Sequence, residues 1–299
     1  MKPRSVLFDI FGSYVRYRGG GISLSSLVQL LSWFDISDDA TRVMLSRMRR
    51  EHWFTAQRVG RSSYYSLTDK GWGLLDEGLT RIFERKSEEW DGTWQVIVYS
   101  LPERHRGLRE RFRKELAWRG FGPLAASTWI GPHDRAAGLQ ALLPDDATLQ
   151  VFSSRTGSTF EDSSIAASCW DLRSLDQDYV AFVEQYAPWM EPKRAEQVTP
   201  KEAFVIRTEI THDYRRFPFR DPDLPSRLLP RDWSGHEAHG VFRATLSNLE
   251  ARAWEAFDEV YEQPPTGTRF ESALRGLGGA PHSHLGSVGM ASPDVVSRR

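Results

Sequence analysis

The chain has little cysteine and no long apolar run. Cys169 is the one cysteine among 299 residues, so an intrachain disulfide and a cysteine metal cluster are both excluded. The N-terminal apolar run VLFDIFGSYV contains Asp9 and is too short for a membrane span or a cleaved signal peptide. We therefore expect a protein of the reducing cytoplasm with no membrane partner.

The sequence also lacks the short motifs of the common enzyme classes. It has no GxSxG nucleophile motif and no GxxxxGKS/T phosphate loop. The stretch HEAH, residues 236–239, does not have the spacing of the HExxH zinc motif. We predict no catalytic residue, no metal site, no cofactor and no enzymatic activity.

Positive charge is concentrated in one part of a nearly neutral chain. The formal net charge is −1, yet residues 1–75 hold 11 Lys and Arg against 6 Asp and Glu, and the rest holds 28 against 34. Six arginines lie between Arg42 and Arg61, with Glu51 as the one acid among them. A basic front segment on an acidic body indicates a module that binds a polyanion.

The N-terminal region has the pattern of three helices, a hairpin and a fourth helix. Ser23 is the predicted cap of the second helix, and Asp38 or Asp39 is the predicted cap of the third. The β-rich stretch WFTAQRVGRSSYYSL breaks at Gly60-Arg61, which predicts a hairpin with an arginine at its tip. This order is that of a winged helix-turn-helix, in which one helix enters the major groove of DNA.

The third helix and the hairpin supply the predicted DNA contacts. Arg42, Ser46 and Arg49 recur at helical spacing on one face, while Met44 and Met48 face the core. Arginine binds guanine bidentately or neutralises phosphate, and the sequence leaves open which arginine does which. The alternative is that the arginines form only a solvated helix face. The predicted contact residues are Thr41, Arg42, Ser46, Arg47, Arg49, Arg50, Arg58, Arg61 and Ser62.

A central block, residues 92–170, alternates strand and helix patterns. WQVIVYSL predicts a buried strand, PERHRGLRERFRKELAWRG an amphipathic helix, and FGPLAASTWIGP a turn with two short strands. DRAAGLQALL predicts a second helix and ATLQVFS another strand. The order β-α-β-β-α-β is that of a ferredoxin-like domain, so the chain as a whole is predicted to be an α+β protein.

The C-terminal part carries mainly helical patterns, with Thr199 as a cap before Pro200. From residue 264 the chain is rich in Gly, Ser and His and has too few large apolar residues to order a core, so we expect a flexible tail. The predicted organisation is a winged helix-turn-helix at 1–88, a linker at 86–93, a ferredoxin-like domain at 92–170, a mostly helical domain at 171–263 and the tail at 264–299.

Three segments recur in the order and spacing of a known family. They are RVMLSRMRREHWF followed by VGRSSYYSLTDKG, the block VIVYSLPERHRGLRERFRKELAWRGFGPLAASTWIGP, and the loop FRDPDLPSRLLPRDWSGHEA. Together they resemble the PaaX family, the repressors of phenylacetic-acid catabolism, and the loop is the most specific of the three. The resemblance implies a homodimeric transcription factor that binds a palindromic operator in double-stranded DNA. It also implies release by an aryl-CoA thioester such as phenylacetyl-CoA.

The proline-rich C-terminal loop has the chemistry that an aryl-CoA ligand needs. Such a ligand requires cations for its phosphates and an aromatic-lined slot for its acyl group. Two alternatives stay open: the loop is packed by its own aromatics with its arginines in water or paired to acids, or the ligand lies between the central and C-terminal domains. The residues predicted to bind the effector are Arg215, Arg216, Arg220 and Trp233.

The central block also resembles the small ferredoxin-like nucleases of CRISPR adaptation. Those nucleases carry a metal-binding aspartate at the end of the first strand, where this chain has Ser100, with Glu103 nearby at the start of a helix. Because the aspartate is missing, we expect the block to serve dimerisation or to couple the other two domains. The alternative functions are a metal-dependent nuclease built on this block, and a protein-interaction scaffold whose basic helix docks on an acidic partner.

Overall fold

The computed structural model describes residues 1–83 and 90–265 of the chain. It combines helices with two antiparallel sheets, which confirms the predicted α+β class. The tail predicted for 264–299 lies outside the described residues apart from residues 264 and 265, as do residues 86–89 of the predicted linker.

The described chain forms two compact units. The first unit contains Met1–Glu77, Trp189–His212 and the chain from Ala244 onward, and the second contains Gly78–Pro188 and Asp213–Arg243. The segment predicted as a helical third domain, 171–263, therefore contributes residues to both units.

The first unit opens with the predicted order of three helices, a hairpin and a fourth helix. Its elements are α1 (Pro3–Ser13), β1 (Gly21–Ser23), α2 (Leu24–Ser32), α3 (Asp38–Arg50), β2 (Phe54–Val59), β3 (Ser62–Leu67) and the first part of α4 (Asp69–Phe83), whose residues after Glu77 belong to the second unit. The Ser23 hydroxyl accepts a hydrogen bond from the N–H of Ser26 at 3.0 Å, so the predicted cap of α2 is confirmed. The cap of α3 is Ser37 instead of Asp38 or Asp39. These two aspartates lie in the first turn, where their negative charge interacts favourably with the helix dipole.

The hairpin of β2 and β3 turns at the predicted residues. Val59 pairs with Ser62, so Gly60 and Arg61 alone form the turn. Gly60 has a φ of 60°, a left-handed conformation that glycine adopts without strain. β1 pairs with the other side of β3, which gives a three-stranded sheet in the order β1-β3-β2.

Two more helices are capped by threonine, and the predicted cap at Thr199 is confirmed. The Thr68 hydroxyl accepts from the N–H of Gly71 at 3.4 Å and caps α4. Thr199 caps α9 (Pro200–Tyr214): its hydroxyl accepts from the N–H of Glu202 at 3.2 Å, and the Glu202 carboxylate accepts from the N–H of Thr199 at 2.8 Å. This reciprocal pair is a capping box, which fixes the start of the helix from both sides.

Residues from distant parts of the sequence form one core in the first unit. The core contains apolar residues of α1, α2 and α3 together with Phe204 of α9 and Phe257 of α10 (Gly235–Val260). Tyr14 lies among them, with its ring centroid 4.6 Å from that of Phe204 and 5.1 Å from that of Phe257. The short helix α8 (Pro192–Ala195) contributes the buried Ala195.

The second unit is built on a four-stranded antiparallel sheet. Its elements are β4 (Trp94–Ser100), α5 (Arg106–Trp118), β5 (Gly122–Ala125), β6 (Thr128–Gly131), β7 (Thr148–Ser154), α6 (Thr159–Cys169) and α7 (Leu172–Tyr186). The strands lie in the order β5-β6-β4-β7. Phe112 and Leu116 of α5 pack against Ile97 and Tyr99 of β4, so one face of the sheet is covered by this helix.

The prediction of a second helix in the central block is wrong. The stretch DRAAGLQALL contains only a single 3-10 turn, Gln140–Leu142, between β6 and β7. Gly138 has a φ of 77°, outside the right-handed helical region, and Pro144 follows the turn. The observed order is therefore strand, helix, strand, strand, turn, strand.

Helix α6 was not predicted from the sequence. It has few large apolar residues, so it shows no apolar stripe. The available signal was its cap: the Ser158 hydroxyl accepts from the N–H of Glu161 at 3.3 Å. Within residues 1–83 and 90–265, no helix combines the length and apolar character that a membrane span requires.

Candidate nucleic-acid interface

Helix α3 has one buried face and one charged, exposed face. Thr41, Leu45 and Met48 recur at helical spacing and are buried in the core of the first unit. Thr41 was predicted to contact DNA; this is corrected, because its side chain lies on the core-facing side of the helix. Met44 is half-buried and packs against the same core, as expected.

Two of the exposed arginines of α3 form ion pairs within one helical turn. Arg42 donates two hydrogen bonds to Asp38, with its Nε 2.6 Å from Oδ1, and the Arg47 Nε lies 2.8 Å from Glu51 Oε1. The hydrogen bond from Arg47, followed by the charge of Arg4, holds the pKa of Glu51 below its usual range. Exposed pairs of this kind are weak because water and salt screen them, so either arginine can exchange its carboxylate for a phosphate at little cost.

The remaining predicted residues of α3 are free to meet a ligand. Ser46, Arg49 and Arg50 are exposed. Across the part of the chain that the structure describes, the side chains of Arg49 and Arg50 have no acidic partner. Three acids and four arginines thus face solvent along α3 and at its C-terminal end. Among the described residues, two of these arginines have no carboxylate as a partner.

Val43 lies among these arginines and was missed from the sequence. Its side chain is 69% exposed, although it is apolar and sits in the middle of α3. It precedes Arg47 by four residues and Arg50 by seven, so it lies on the same exposed face. The signal was its position one residue after Arg42, outside the buried face.

The hairpin tip carries the other predicted contacts. Arg58 and Arg61 are exposed and Ser62 is half-buried. The Arg58 Nε donates to the carbonyl oxygen of Gly60 at 3.3 Å, which folds its side chain back over the turn. The hairpin tip therefore presents two cations within four positions of each other, Arg58 near the end of β2 and Arg61 in the turn.

Two further cations surround Trp53, just beyond the end of α3. The Arg4 guanidinium carbon lies 5.0 Å and the Lys70 Nζ 3.9 Å from centroids of the Trp53 ring. Arg4 also donates to the Glu51 carboxylate at 3.0 Å. Neither cation was predicted, because both are distant from α3 in the sequence. They extend the positive surface at the C-terminal end of α3.

A separate feature, a cavity in the second unit, lies beside one residue predicted to bind the effector. Its volume is about 360 Å³, and Arg220 and Asp171 are its charged lining residues. The Arg220 guanidinium is held by the Asp178 carboxylate and by the Ser174 hydroxyl, the latter at 3.2 Å. The apolar lining includes Phe121, Trp129, Trp170, Leu172, Leu175 and Phe219.

The other residues predicted to bind the effector do not line this cavity. Trp233 is buried and packs edge-on against Tyr179, with ring centroids 5.5 Å apart, so its assignment to the ligand is corrected to a role in the core. Arg216 is exposed, 3.7 Å from Asp213, and Arg215 is half-buried. The loop is thus partly packed by its own aromatic residues, as the alternative interpretation expected.

The region that resembles a nuclease presents different chemistry. β4 ends at Ser100, and the Glu103 carboxylate accepts from Arg109 at 3.0 Å. Among the described residues, no three His, Cys, Asp or Glu side chains come together as a metal-binding group.

Comparison with known proteins identifies the family. The transcriptional repressor PaaX of Escherichia coli (strain K12) is 31% identical over 242 residues, which cover 78% of this chain and 76% of that protein. The chain belongs to the PaaX family. Three family domains match in order: the PaaX-like protein domain at residues 2–71, the PaaX central Cas2-like domain at 87–166 and the PaaX-like C-terminal domain at 170–259. The resemblance expected from the sequence is therefore confirmed.

The PaaX-family chain also resembles a solved structure. The uncharacterized protein Rv0674 from Mycobacterium tuberculosis superposes with a TM-score of 0.60 and 21% identity, over 87% of this chain and 98% of that one. At this identity the similarity describes the fold.

Proposed function

We propose that this protein is a DNA-binding transcriptional regulator that acts as a repressor and reads its operator with α3. The observation that carries the proposal is the exposed face of α3, on which Arg49 and Arg50 lack acidic partners among the described residues. The opposite face is anchored by Leu45 and Met48. The relation to a protein named as a transcriptional repressor supports this function.

In this proposal α1 to α4 and the hairpin act as a winged helix-turn-helix. α3 enters the major groove, where its arginines bind guanine or phosphate and Val43 meets a thymine methyl. The hairpin tip, with Arg58 and Arg61, contacts phosphate or the minor groove beside it. The arginines of α3 paired with Asp38 and Glu51 exchange these carboxylates for DNA phosphates on binding.

A homodimer then binds a palindromic operator in the cytoplasm, where the chromosomal target lies. Two copies of α3 related by a two-fold axis require half-sites spaced by one helical turn of DNA, about 34–36 Å, or a multiple of it. Each arginine that neutralises a phosphate releases counterions, so binding becomes weaker as salt is raised, with a log–log slope of about −0.9 for each contact.

The proposed effector is an aryl-CoA thioester. The operon that we propose the regulator represses encodes aromatic catabolism of the phenylacetate type. The cavity beside Arg220 supports this, because it joins aromatic walls to a cation at about 360 Å³. An apolar cavity of about 150 Å³ already accommodates benzene, so there is room for an aryl group. Arg220, which lines the cavity, supplies charge for a phosphate, while Arg215 and Arg216 lie outside the cavity on the same loop.

Selection of bound fragments from genomic DNA, with and without phenylacetyl-CoA, tests both parts of this function. We expect the recovered fragments to share a palindrome and the thioester to abolish their recovery. A shared palindrome that persists with the thioester would retain the regulator and reject the effector. Fragments without any common sequence would overturn sequence-specific regulation.

A further inference from the structure

The cavity beside Arg220 supplies too little positive charge for a ligand with several phosphates. Arg220 is the one cation among its lining residues, and the Asp178 carboxylate already holds that guanidinium. Asp171 also lines the cavity and offsets the charge of Arg220 further. A ligand that places an apolar group between the aromatic walls must therefore find its remaining countercharge outside the cavity.

Two of the helices that line the cavity differ in charge. Residues 171–178, at the start of α7, hold three acids against Arg173. α5 has five Lys and Arg against Glu110 and Glu115, although the chain outside its first 75 residues is acidic as a whole. An anionic group that leaves the cavity is therefore attracted along α5 and repelled along α7.

Some of the cations of α5 are neutralised by nearby acids and others are not. Arg109 pairs with Glu103 at 3.0 Å, and Arg113 lies 3.5 Å from Glu110. Within the described part of the chain, the exposed cations of α5 that have no acidic partner are Arg106, Arg111 and Lys114.

Lys114 and Arg111 continue the line that begins at the cavity. Ala117 lines the cavity, and the next residue, Trp118, packs on the lining residue Phe219 with ring centroids 4.9 Å apart. Lys114 and Arg111 precede Trp118 by four and seven residues, so all three share one face of the helix. With a rise of about 1.5 Å per residue, Arg111 lies about 10 Å from Trp118 along the helix axis.

We propose that the phosphates of the effector bind along the α5 stripe, formed by Trp118, Lys114 and Arg111, while its aryl group occupies the cavity. Trp118 and Phe219 supply an apolar rim for the uncharged arm that joins the two parts of the ligand. The negative end of the α5 dipole lies at Trp118, which favours phosphates nearer to Lys114 and Arg111. This inference rests on the aryl-CoA effector of the proposed function and names the surface that binds its nucleotide half.

Calorimetric titration of the full chain, without DNA, compares two thioesters. Phenylacetyl-CoA carries the phosphates, whereas the phenylacetyl thioester of N-acetylcysteamine keeps the acyl group and has no phosphate. We expect the wild type to bind phenylacetyl-CoA more tightly, and raised salt to weaken the binding of this ligand only. Lys114→Ala with Arg111→Ala should weaken the binding of phenylacetyl-CoA about tenfold and leave that of the truncated thioester unchanged.

Lys201→Ala with Arg231→Ala is the matched control. It removes one exposed lysine and one exposed arginine, neither of which lines the cavity, and should bind both thioesters as the wild type does. Equal affinity of the wild type for the two thioesters would overturn the proposal, as would unchanged binding of phenylacetyl-CoA to the α5 double variant. Binding of neither thioester to the wild type would reject the effector itself.

Operator affinity distinguishes the α5 stripe from a second DNA-binding surface. Without thioester, the α5 double variant should bind a selected operator as the wild type does, and more phenylacetyl-CoA should be needed to release it. A variant that binds the operator more weakly would assign these cations to DNA and overturn the proposal. A failure of operator selection would leave the calorimetric result standing, so it is distinguishable from a failure of this inference.

Discussion

The ring of Tyr14 stacks on that of Phe257, with centroids 5.1 Å apart and planes inclined by 22°. Tyr14 follows α1, and Phe257 lies near the end of α10, at the opposite end of the described chain. Both are buried in the core that also holds Leu45 and Met48 of α3. The helix that presents the arginines is therefore supported by a C-terminal helix, and not by the N-terminal segment alone.

We expect loss of the Tyr14 ring to destabilise the protein. Tyr14→Ala should reduce the free energy of unfolding by about 3–5 kcal/mol, because the ring packs against Phe204, Trp254 and Phe257. Tyr14→Phe is the control. It keeps the ring and should change the free energy of unfolding by less than about 1.5 kcal/mol. Urea unfolding followed by circular dichroism measures both. Equal stability of the alanine variant and the wild type would show that this contact does not stabilise the fold.

Val43 should contribute to base recognition through a thymine methyl group. Replacing the contacted thymine of a selected operator by deoxyuridine removes one methyl group. The affinity of the wild type for this operator should therefore fall about fourfold. Val43→Ala should bind more weakly and should no longer distinguish thymine from deoxyuridine at that position. Val180→Ala is the control, because Val180 is an exposed valine on α7, remote from α3 in the sequence. If every thymine-to-deoxyuridine change affects Val43→Ala and the wild type equally, Val43 does not read thymine.

The hydroxyl of Tyr261 should make stability depend on alkaline pH. It donates to the carbonyl oxygens of Arg18 and of Gly21, the latter at 3.0 Å, and burial raises its pKa from 10.0 to about 12. The folded state therefore retains the proton more strongly than the unfolded state. Its stabilising contribution is complete below pH 10 and is lost as the pH rises toward about 12.

Chemical denaturation across this alkaline range, for the wild type and for Tyr261→Phe, measures the effect. The phenylalanine variant should be less stable at neutral pH by about 0.5–1.5 kcal/mol, the contribution of one hydrogen bond. Its stability should also fall less steeply above pH 10, the ordinary pKa of tyrosine. Parallel curves for the two proteins would contradict the raised pKa.

Local features of the fold were predictable from the sequence. The caps Ser23, Thr68 and Thr199 and the turn at Gly60-Arg61 depend on residues within a few positions of each other, so short patterns suffice. The burial of Thr41 was also readable, because Leu45 and Met48 follow it at helical spacing. The residue type alone indicates the opposite, because threonine is mostly exposed in folded proteins.

Other features depend on tertiary structure. Nothing near Tyr14 in the sequence indicates that Phe204 and Phe257 complete its core. The same holds for Arg4 and Lys70, which reach Trp53 only after folding. DRAAGLQALL has good helix formers, yet Leu139 is buried against the sheet core from a loop, and this packing outweighs its propensity.

The assignment of α3 as the DNA-reading helix is tested most sharply with an Arg49→Ala, Arg50→Ala double variant. Its affinity for a selected operator is measured across a range of salt concentrations. These two arginines have no acidic partner among the described residues, so their removal leaves no carboxylate newly exposed. Arg106→Ala with Arg111→Ala, exposed on α5 of the second unit, is the charge-matched control.

We expect the α3 variant to bind more weakly and its log–log salt slope to become shallower by about 0.9 for each phosphate that is no longer neutralised, with the control unchanged. An α3 variant with the affinity and salt slope of the wild type would contradict the assignment of α3 as the DNA-reading helix.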